Sequence, residues 1–263
     1  MTVLTHLNNL SSELVLTDTE KSNISVSLNT LAAKLNAYFG SDVKEHFSFG
    51  SYPRVTILPR KADAHSDVDY MIVFSTTDGQ KKPQTYLDRL KKFANEKYST
   101  SEIYQSHPTL VLSLNHIKFE LVPAVYNYGY MIPSPSPSSS WQEWTYTDPA
   151  KANQALLDKN IANNYAIKPL VRLIKYWNAK QGYPYTSFSL EQYIINRYYF
   201  GCSSLKDYFY QFWSDFNANF GDSQTTKDKV ARAKKYAAEA KSLESNNCPY
   251  LAEDEIKKIV PAL

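Results

Sequence analysis

The sequence predicts an α+β protein, with strand-like runs confined to the residues before 148 and a helical remainder. Three observations predict it. Residues 43–49, 67–74, 109–114 and 118–122 are β-branched and aromatic runs of strand length. A long amphipathic pattern at 17–40 precedes them. From Pro149 onward, apolar residues recur at helical spacing and aromatics are frequent. Two domains are expected: 1–148, a strand-bearing core with the long N-terminal helix, and 149–263, a helical lobe.

Each element has a local reason. Thr17 and Glu20 have the spacing of a capping box, and Ile24, Leu28, Leu31, Leu35 and Phe39 then recur every three or four residues up to Gly40, a helix stop. The strand at 43–49 runs into a turn at Gly50-Ser51. Pro83 to Tyr98 reads as a helix with Tyr86, Leu87, Leu90, Phe93 and Ala94 along one side, expected to cover the sheet. Thr109–Leu114 and Lys118–Val122 form a hairpin through residues 115–117. Residues 131–148 are rich in Pro and Ser and read as a linker or lid. Asp148-Pro149 is a helix start. Beyond it, helices are expected from near Pro169 to Gly182, over Leu190–Phe200, over Tyr208–Phe220 and over Lys227–Leu243.

Composition narrows the function classes. At 263 residues and 43% hydrophobic the chain can bury a substantial core. Its 29 Lys and Arg against 26 Asp and Glu give a net charge of +3, too mild for a surface that coats nucleic acid. The N-terminal residues lack a basic segment followed by an apolar core, and no stretch approaches the roughly 20 apolar residues of a membrane span. A soluble, cytoplasmic protein with no membrane segment of its own is expected. Cys202 and Cys248 have no metal-ligand spacing and form no disulfide framework. His65 lies close to Asp67 and Asp69, but no second His or Cys completes a local zinc set. No Gly-rich loop ending in Lys-Ser or Lys-Thr appears, which excludes a P-loop ATPase.

The chemistry concentrates at residues 47–74. Side chains alternate across a strand, so Asp67 and Asp69 share one face, roughly 7 Å apart along the chain. Two carboxylates so placed can grip one or two divalent cations. Glu120, between Phe119 and Leu121, is costly to bury unless paired or bound to a cation. It becomes a third ligand if its strand lies beside the Asp67 strand; from its own strand alone, it reads rather as an edge-strand residue facing water. Gly50 lets the backbone approach a ligand, and the Ser51 hydroxyl with neighbouring N–H groups can hold phosphate oxygens. A lone Gly-Ser is a common dipeptide and gains meaning only from the downstream Asp pair.

With Gly50-Ser51, Asp67, Asp69 and Glu120 in place, the chain resembles the polymerase β-like nucleotidyltransferase superfamily. Within it, the chain is most similar to the cyclic GMP-AMP synthase and bacterial dinucleotide cyclase-like enzymes (CD-NTase, SMODS-type) of anti-phage defence loci. The likeness is carried by F-G-S-Y-P-R at 49–54, S-D-V-D-Y-M-I-V-F at 66–74, F-E-L-V-P-A at 119–124, K-P-L-V-R-L-I-K-Y-W-N at 168–178 and T-S-F-S-L-E at 186–191. It implies a mixed sheet with packed helices, then a helical lobe, with the active site in the cleft between. It also implies that Asp67, Asp69 and Glu120 bind two Mg²⁺ (or Mn²⁺) ions, and that Gly50 and Ser51 hold the triphosphate of a nucleoside triphosphate substrate. Lys175 and Ser187 match positions that contact phosphates, and Phe188 one that stacks on a base. Without the family pattern, Lys175 reads equally as a solvated helix residue, Ser187 as a helix cap and Phe188 as plain core.

One departure stands out. The family commonly follows the Gly-Ser turn with Arg-Gly-Thr, where this chain has Arg54-Val55-Thr56. Because Val resists positive φ, a different backbone and altered nucleotide binding are expected there. The resemblance implies a synthase of cyclic or linear oligonucleotide signals, ribo- or deoxyribo-, acting with an effector protein encoded nearby that senses the product. The alternatives are a transferase that modifies tRNA, a protein or a small molecule, and a non-catalytic nucleotide-binding regulator. Base, sugar, linkage, a protein hydroxyl as primer and a nucleic-acid activator are left open by the sequence.

Overall fold

The computed structural model describes residues 2–135 and 143–263, and the chain divides into two compact units. The sheet unit comprises Thr17–Ile57 and His65–Asn153; the helical unit comprises Met1–Leu16, Leu58–Ala64 and Gln154–Leu263. The units therefore do not follow a single cut at 148. Residues 1–16 and 58–64 group with the C-terminal helices because Val3, Leu7, Leu10, Leu14, Leu58 and Ala62 belong to that unit's core.

The sheet unit opens with helix α2 (Asp18–Phe39), introduced by the expected capping box and ended by Gly40 at φ +52°. Strands β1 (Val43–Phe49), β2 (Asp67–Phe74), β3 (Glu102–Ser106), β4 (Thr109–Ser113) and β5 (Lys118–Tyr126) follow, with helix α3 (Pro83–Lys97) between β2 and β3. Their spatial order is β1-β2-β5-β4-β3; β6 (Tyr130–Pro133) pairs with β5 and β7 (Trp144–Thr147) with β6. β2 and β5 run parallel and the other pairs antiparallel, so the sheet is mixed. The stretch expected as a linker or lid thus contains two short strands, and residues 136–142 lie outside the described residues.

Alternation along β2 assigns its faces. Phe74 meets Phe39 of α2 at 5.3 Å and Tyr86 of α3 at 4.9 Å between ring centroids, which marks the helix-covered face. On that face the Tyr70 hydroxyl lies 2.7 Å from His46 Nδ1, while His46 Nε2 reaches Asn36 Oδ1 at 2.9 Å. With Asn36 Oδ1 as acceptor, Nε2 carries the proton and Nδ1 accepts from Tyr70. The opposite face holds Met71, Val73 and Ala124, packed against Phe47, Phe49, Tyr130 and Ile132. Asp67 and Asp69 continue this second face toward the N-terminal end of β2.

The helical unit contains α1 (Val3–Glu13), α5 (Ile167–Lys180), α6 (Ser187–Asn196), α7 (Leu205–Asp215), α8 (Gln224–Ser245) and α9 (Pro249–Lys257), with most of α4 (Pro149–Ala162). Its core centres on Trp177 and Trp213, edge to face at 4.8 Å, with Phe209, Phe212 and Phe216 around them. Helix α1 is fixed at both ends of its buried face. His6 Nε2 lies 2.8 Å from the Val260 carbonyl, and Arg172 Nε donates to the Ser11 carbonyl at 3.2 Å. Burial pushes the Arg172 guanidinium down to about 10.

Candidate active site

Register brings the candidate carboxylates together. Asp69 on β2 stands opposite Glu120 on β5, and Asp67 opposite Lys118. In a parallel pair, matched residues present their side chains to the same face, so Asp67, Asp69 and Glu120 share one face at one end of the sheet. β5 lies between β2 and β4, which rules out the edge-strand reading of Glu120. All three carboxylates are half-buried. Thr109, which no motif had marked, sits beside them. Its hydroxyl oxygen lies 3.0 Å from the Ser106 carbonyl and 3.4 Å from Glu120 Oε2, and its single proton serves one of the two at a time.

Gly50 follows β1, whose last residue, Phe49, is paired with Asp69. Its φ is +71°, and a Cβ built there would stand 1.8 Å from Asp69 Oδ2 and 2.8 Å from Asp69 Cγ. The Asp69 carboxylate therefore occupies the space that any side chain at residue 50 would need. The loop beyond closes on one atom: the Ser51 carbonyl accepts the N–H of Thr56 at 3.0 Å and of Ile57 at 3.1 Å, while Val55 N–H donates to the Tyr52 carbonyl at 3.0 Å.

Val55 itself has φ +60°. The valine adopts the left-handed conformation, which glycine would take without cost. Those three hydrogen bonds impose it, and the side chain tolerates it because it is 47% exposed.

Three candidates lie in the helical unit. Lys175 is only 7% exposed on α5, which excludes a solvated helix residue. Ser187 opens α6, but the cap is Thr186, whose side chain accepts from Ser189 N–H. Phe188 is 54% exposed and is not core. Lys168 and Arg172 stand seven and three residues before Lys175, so the three cations share one face of α5. Lys168 is held below the usual ammonium range by burial and, secondarily, by Arg172, while Glu191 of α6 opposes that shift. The helical spacing of Lys168 was visible in the sequence; the involvement of Glu191 was not.

An all-oxygen donor set suits a hard divalent cation. The sheet register fits such a group by bringing Asp69 and Glu120 side by side with Asp67 on their face. Among the described residues no three Asp, Glu, His or Cys side chains already stand at metal-ligand distances, so the fit rests on the register that puts the three carboxylates on one face. His65 accordingly joins no such set. What the arrangement offers is a carboxylate-lined face beside a glycine turn, with no side chain between turn and carboxylate.

Residues 1–160 match the Second Messenger Oligonucleotide or Dinucleotide Synthetase domain (SMODS), and the chain belongs to that family. It is 28% identical over 191 residues to a probable cyclic nucleotide synthase of Bacillus cereus (strain VD146), a match covering 58% of this chain and 55% of the relative; the chain thus spans about half of that protein's length. Among solved structures it is similar to Escherichia coli MS115-1 CdnC in complex with HORMA-deltaN, with a TM-score of 0.73, 15% identity, and 98% and 96% of the two chains covered. It is equally similar to Vibrio cholerae DncV cyclic AMP-GMP synthase in complex with the linear intermediate 5′ pppA(3′,5′)pG, with a TM-score of 0.73, 12% identity, and 97% and 95% covered. The fold is therefore the one shared with CdnC and DncV, a mixed sheet with packed helices and a helical lobe.

Proposed function

We propose that this chain is a metal-dependent nucleotidyltransferase that makes cyclic or linear oligonucleotide signals from nucleoside triphosphates in bacterial anti-phage defence. The observation that carries the reading is the pairing of Asp69 with Glu120, with Gly50 held against the Asp69 carboxylate. Family membership supports it, as do the nucleotide-bound relatives, among them CdnC solved with ATP. In the reaction, an acceptor hydroxyl gives up its proton to the Asp69 or Glu120 carboxylate as its oxygen bonds to the α-phosphorus of a triphosphate, the bond from that phosphorus to the β-phosphate bridging oxygen breaks, and pyrophosphate leaves with its charge.

Asp67, Asp69 and Glu120 would hold the divalent ions, Mg²⁺ or Mn²⁺. Bound there, such ions supply Lewis-acid stabilisation of the entering and leaving oxygens. The chain's own residues do the rest. Gly50 lets the triphosphate approach the backbone, and the Ser51 hydroxyl donates to a phosphate oxygen. We assign phosphate contacts to Lys175 and Ser187 and base stacking to Phe188, whose exposed ring leaves a face free for it. We assign sensing of the product to a separate effector protein encoded nearby and the reaction to the cytoplasm, where nucleoside triphosphates are made. No helix among the described residues is long and apolar enough to cross a membrane.

The test is incubation of the purified chain with Mg²⁺ or Mn²⁺ and labelled ribo- and deoxynucleoside triphosphates, followed by mass spectrometry of small products and of intact protein. Small oligonucleotides are expected from the wild type and none from Asp69→Asn, which keeps the fold. Substantial turnover by that variant sinks the assignment. Nucleotide mass added to protein or to supplied tRNA replaces the synthase with a transferase.

A further inference from the structure

The helical unit contains a cavity of about 250 Å³ to which the preceding reading gives no role. Its floor is apolar: Trp177 of α5, Ala233 of α8 and Ile259 are each at most 3% exposed. Its walls carry Lys229, Arg232 and Lys258, with Tyr236 and no carboxylate among the lining residues. Lys229, Arg232 and Tyr236 are spaced to share one face of α8. Positive charge there is poorly matched. From Gln224 to Lys235 the helix bears Lys227, Lys229, Arg232, Lys234 and Lys235 against Asp228 alone.

The partners of these cations are mostly neutral. Lys229 Nζ donates to the Gln181 carbonyl at 2.5 Å, Lys227 Nζ to the Phe220 carbonyl at 2.8 Å and Lys234 Nζ to Asn217 Oδ1 at 2.6 Å. Lys258 pairs with Glu255 and lies 5.2 Å from the centroid of the Tyr236 ring. Arg232 is exposed and has neither an ion pair nor a hydrogen bond among the described residues. A guanidinium and two ammonium groups around one small concavity suit a compact, multiply charged oxyanion. The volume equals that of roughly eight waters, close to the nine or so heavy atoms of a diphosphate group.

We propose that this cavity is a second anion site that binds a diphosphate or triphosphate group, either free or as the phosphate tail of a nucleotide. It contains none of the carboxylate-site residues. The test is isothermal titration of the full chain, in EDTA so that no cation bridges phosphate to Asp67, Asp69 and Glu120. The probes are pyrophosphate, tripolyphosphate and ADP. Saturable one-to-one binding is expected, weakened about ten- to a hundred-fold in Arg232→Ala, as loss of a charge-assisted hydrogen bond implies, and unchanged in Lys235→Ala. ADP binding more tightly than pyrophosphate makes a nucleotide the source; the reverse makes it free diphosphate. Absence of saturable binding overturns the proposal. Equal weakening by Arg232→Ala and Lys235→Ala also overturns it, since that is diffuse surface charge, as does loss only in Asp67→Asn/Asp69→Asn.

Discussion

Replacing Gly50 with alanine adds one methyl group where the Asp69 carboxylate already stands. The new Cβ would lie 1.8 Å from Oδ2 and 2.8 Å from Cγ, so the carboxylate must withdraw by about 1.2 Å to reach the 3.0 Å below which such contacts do not occur. Turning the oxygens alone does not relieve it, because Cγ is also too close. Asp69 lies on β2, with β1 and β5 on either side, so χ1 must change rather than the backbone. The left-handed conformation adds about 1–2 kcal/mol of its own for any residue with a Cβ. For a chain of this size that lowers Tm by about 2–8 °C. Displacing a reacting group by about 1 Å costs on the order of a hundredfold in rate. Gly50→Ala should therefore remain folded at 25 °C, melt a few degrees lower, and form oligonucleotide from labelled triphosphates with kcat reduced about a hundredfold. Calorimetry and product quantification under saturating triphosphate check both numbers. Wild-type kcat together with the lowered Tm would refute the reasoning, because the Asp69 position would then be irrelevant to turnover.

Two further outcomes follow from the same loop and from the helix-covered face of the sheet. Val55→Gly removes a β-branched residue from φ +60°; relief of about 1–2 kcal/mol is set against roughly 0.5–1 kcal/mol of added unfolded-chain entropy, so Tm rises by up to about 6 °C, and a fall in Tm contradicts the strain. Burial holds the His46 imidazole below its usual 6.5, so the unfolded chain takes up the proton more readily as pH falls. Stability is full above about pH 6.5 and declines below it; urea midpoints between pH 8 and pH 5.5 should show a shallower decline in His46→Gln than in the wild type.

How far the sequence reaches differs from element to element. The capping box at Thr17 and Glu20, the stop at Gly40 and the hairpin joining β4 to β5 are local signals, and the structure contains all three. The pairing of Asp69 with Glu120 is not local. It needs β5 to lie parallel beside β2, which no residue pattern within either strand specifies. Helix α1 is not among the expected elements, although Val3, Leu7, Leu10 and Leu14 recur at helical spacing. Strands β6 and β7 were hidden by the Pro- and Ser-rich composition around them. On α5 the polar residues Arg172, Lys175 and Asn178 are each buried, against the solvated reading of Lys175, since periodicity cannot reveal how many neighbours will surround a helix. Val55 shows the hydrogen bonds of a local turn overriding intrinsic backbone preference.

The bond between His6 and the Val260 carbonyl joins residues 254 positions apart, and this has a bearing on biosynthesis. A ribosome releases α1 long before α5, α7 and α9, the helices it packs against, have been translated. Until then its apolar stripe has no native surface to bury against, while Thr17–Ile57 and His65–Asn153 can already assemble their sheet. The emerging chain thus carries an unsheltered amphipathic helix for most of its translation time, a natural ligand for a holdase chaperone. For the same reason, a fragment expressed from residue 149 onward lacks α1 and the 58–64 segment, leaving a greasy trough that invites aggregation.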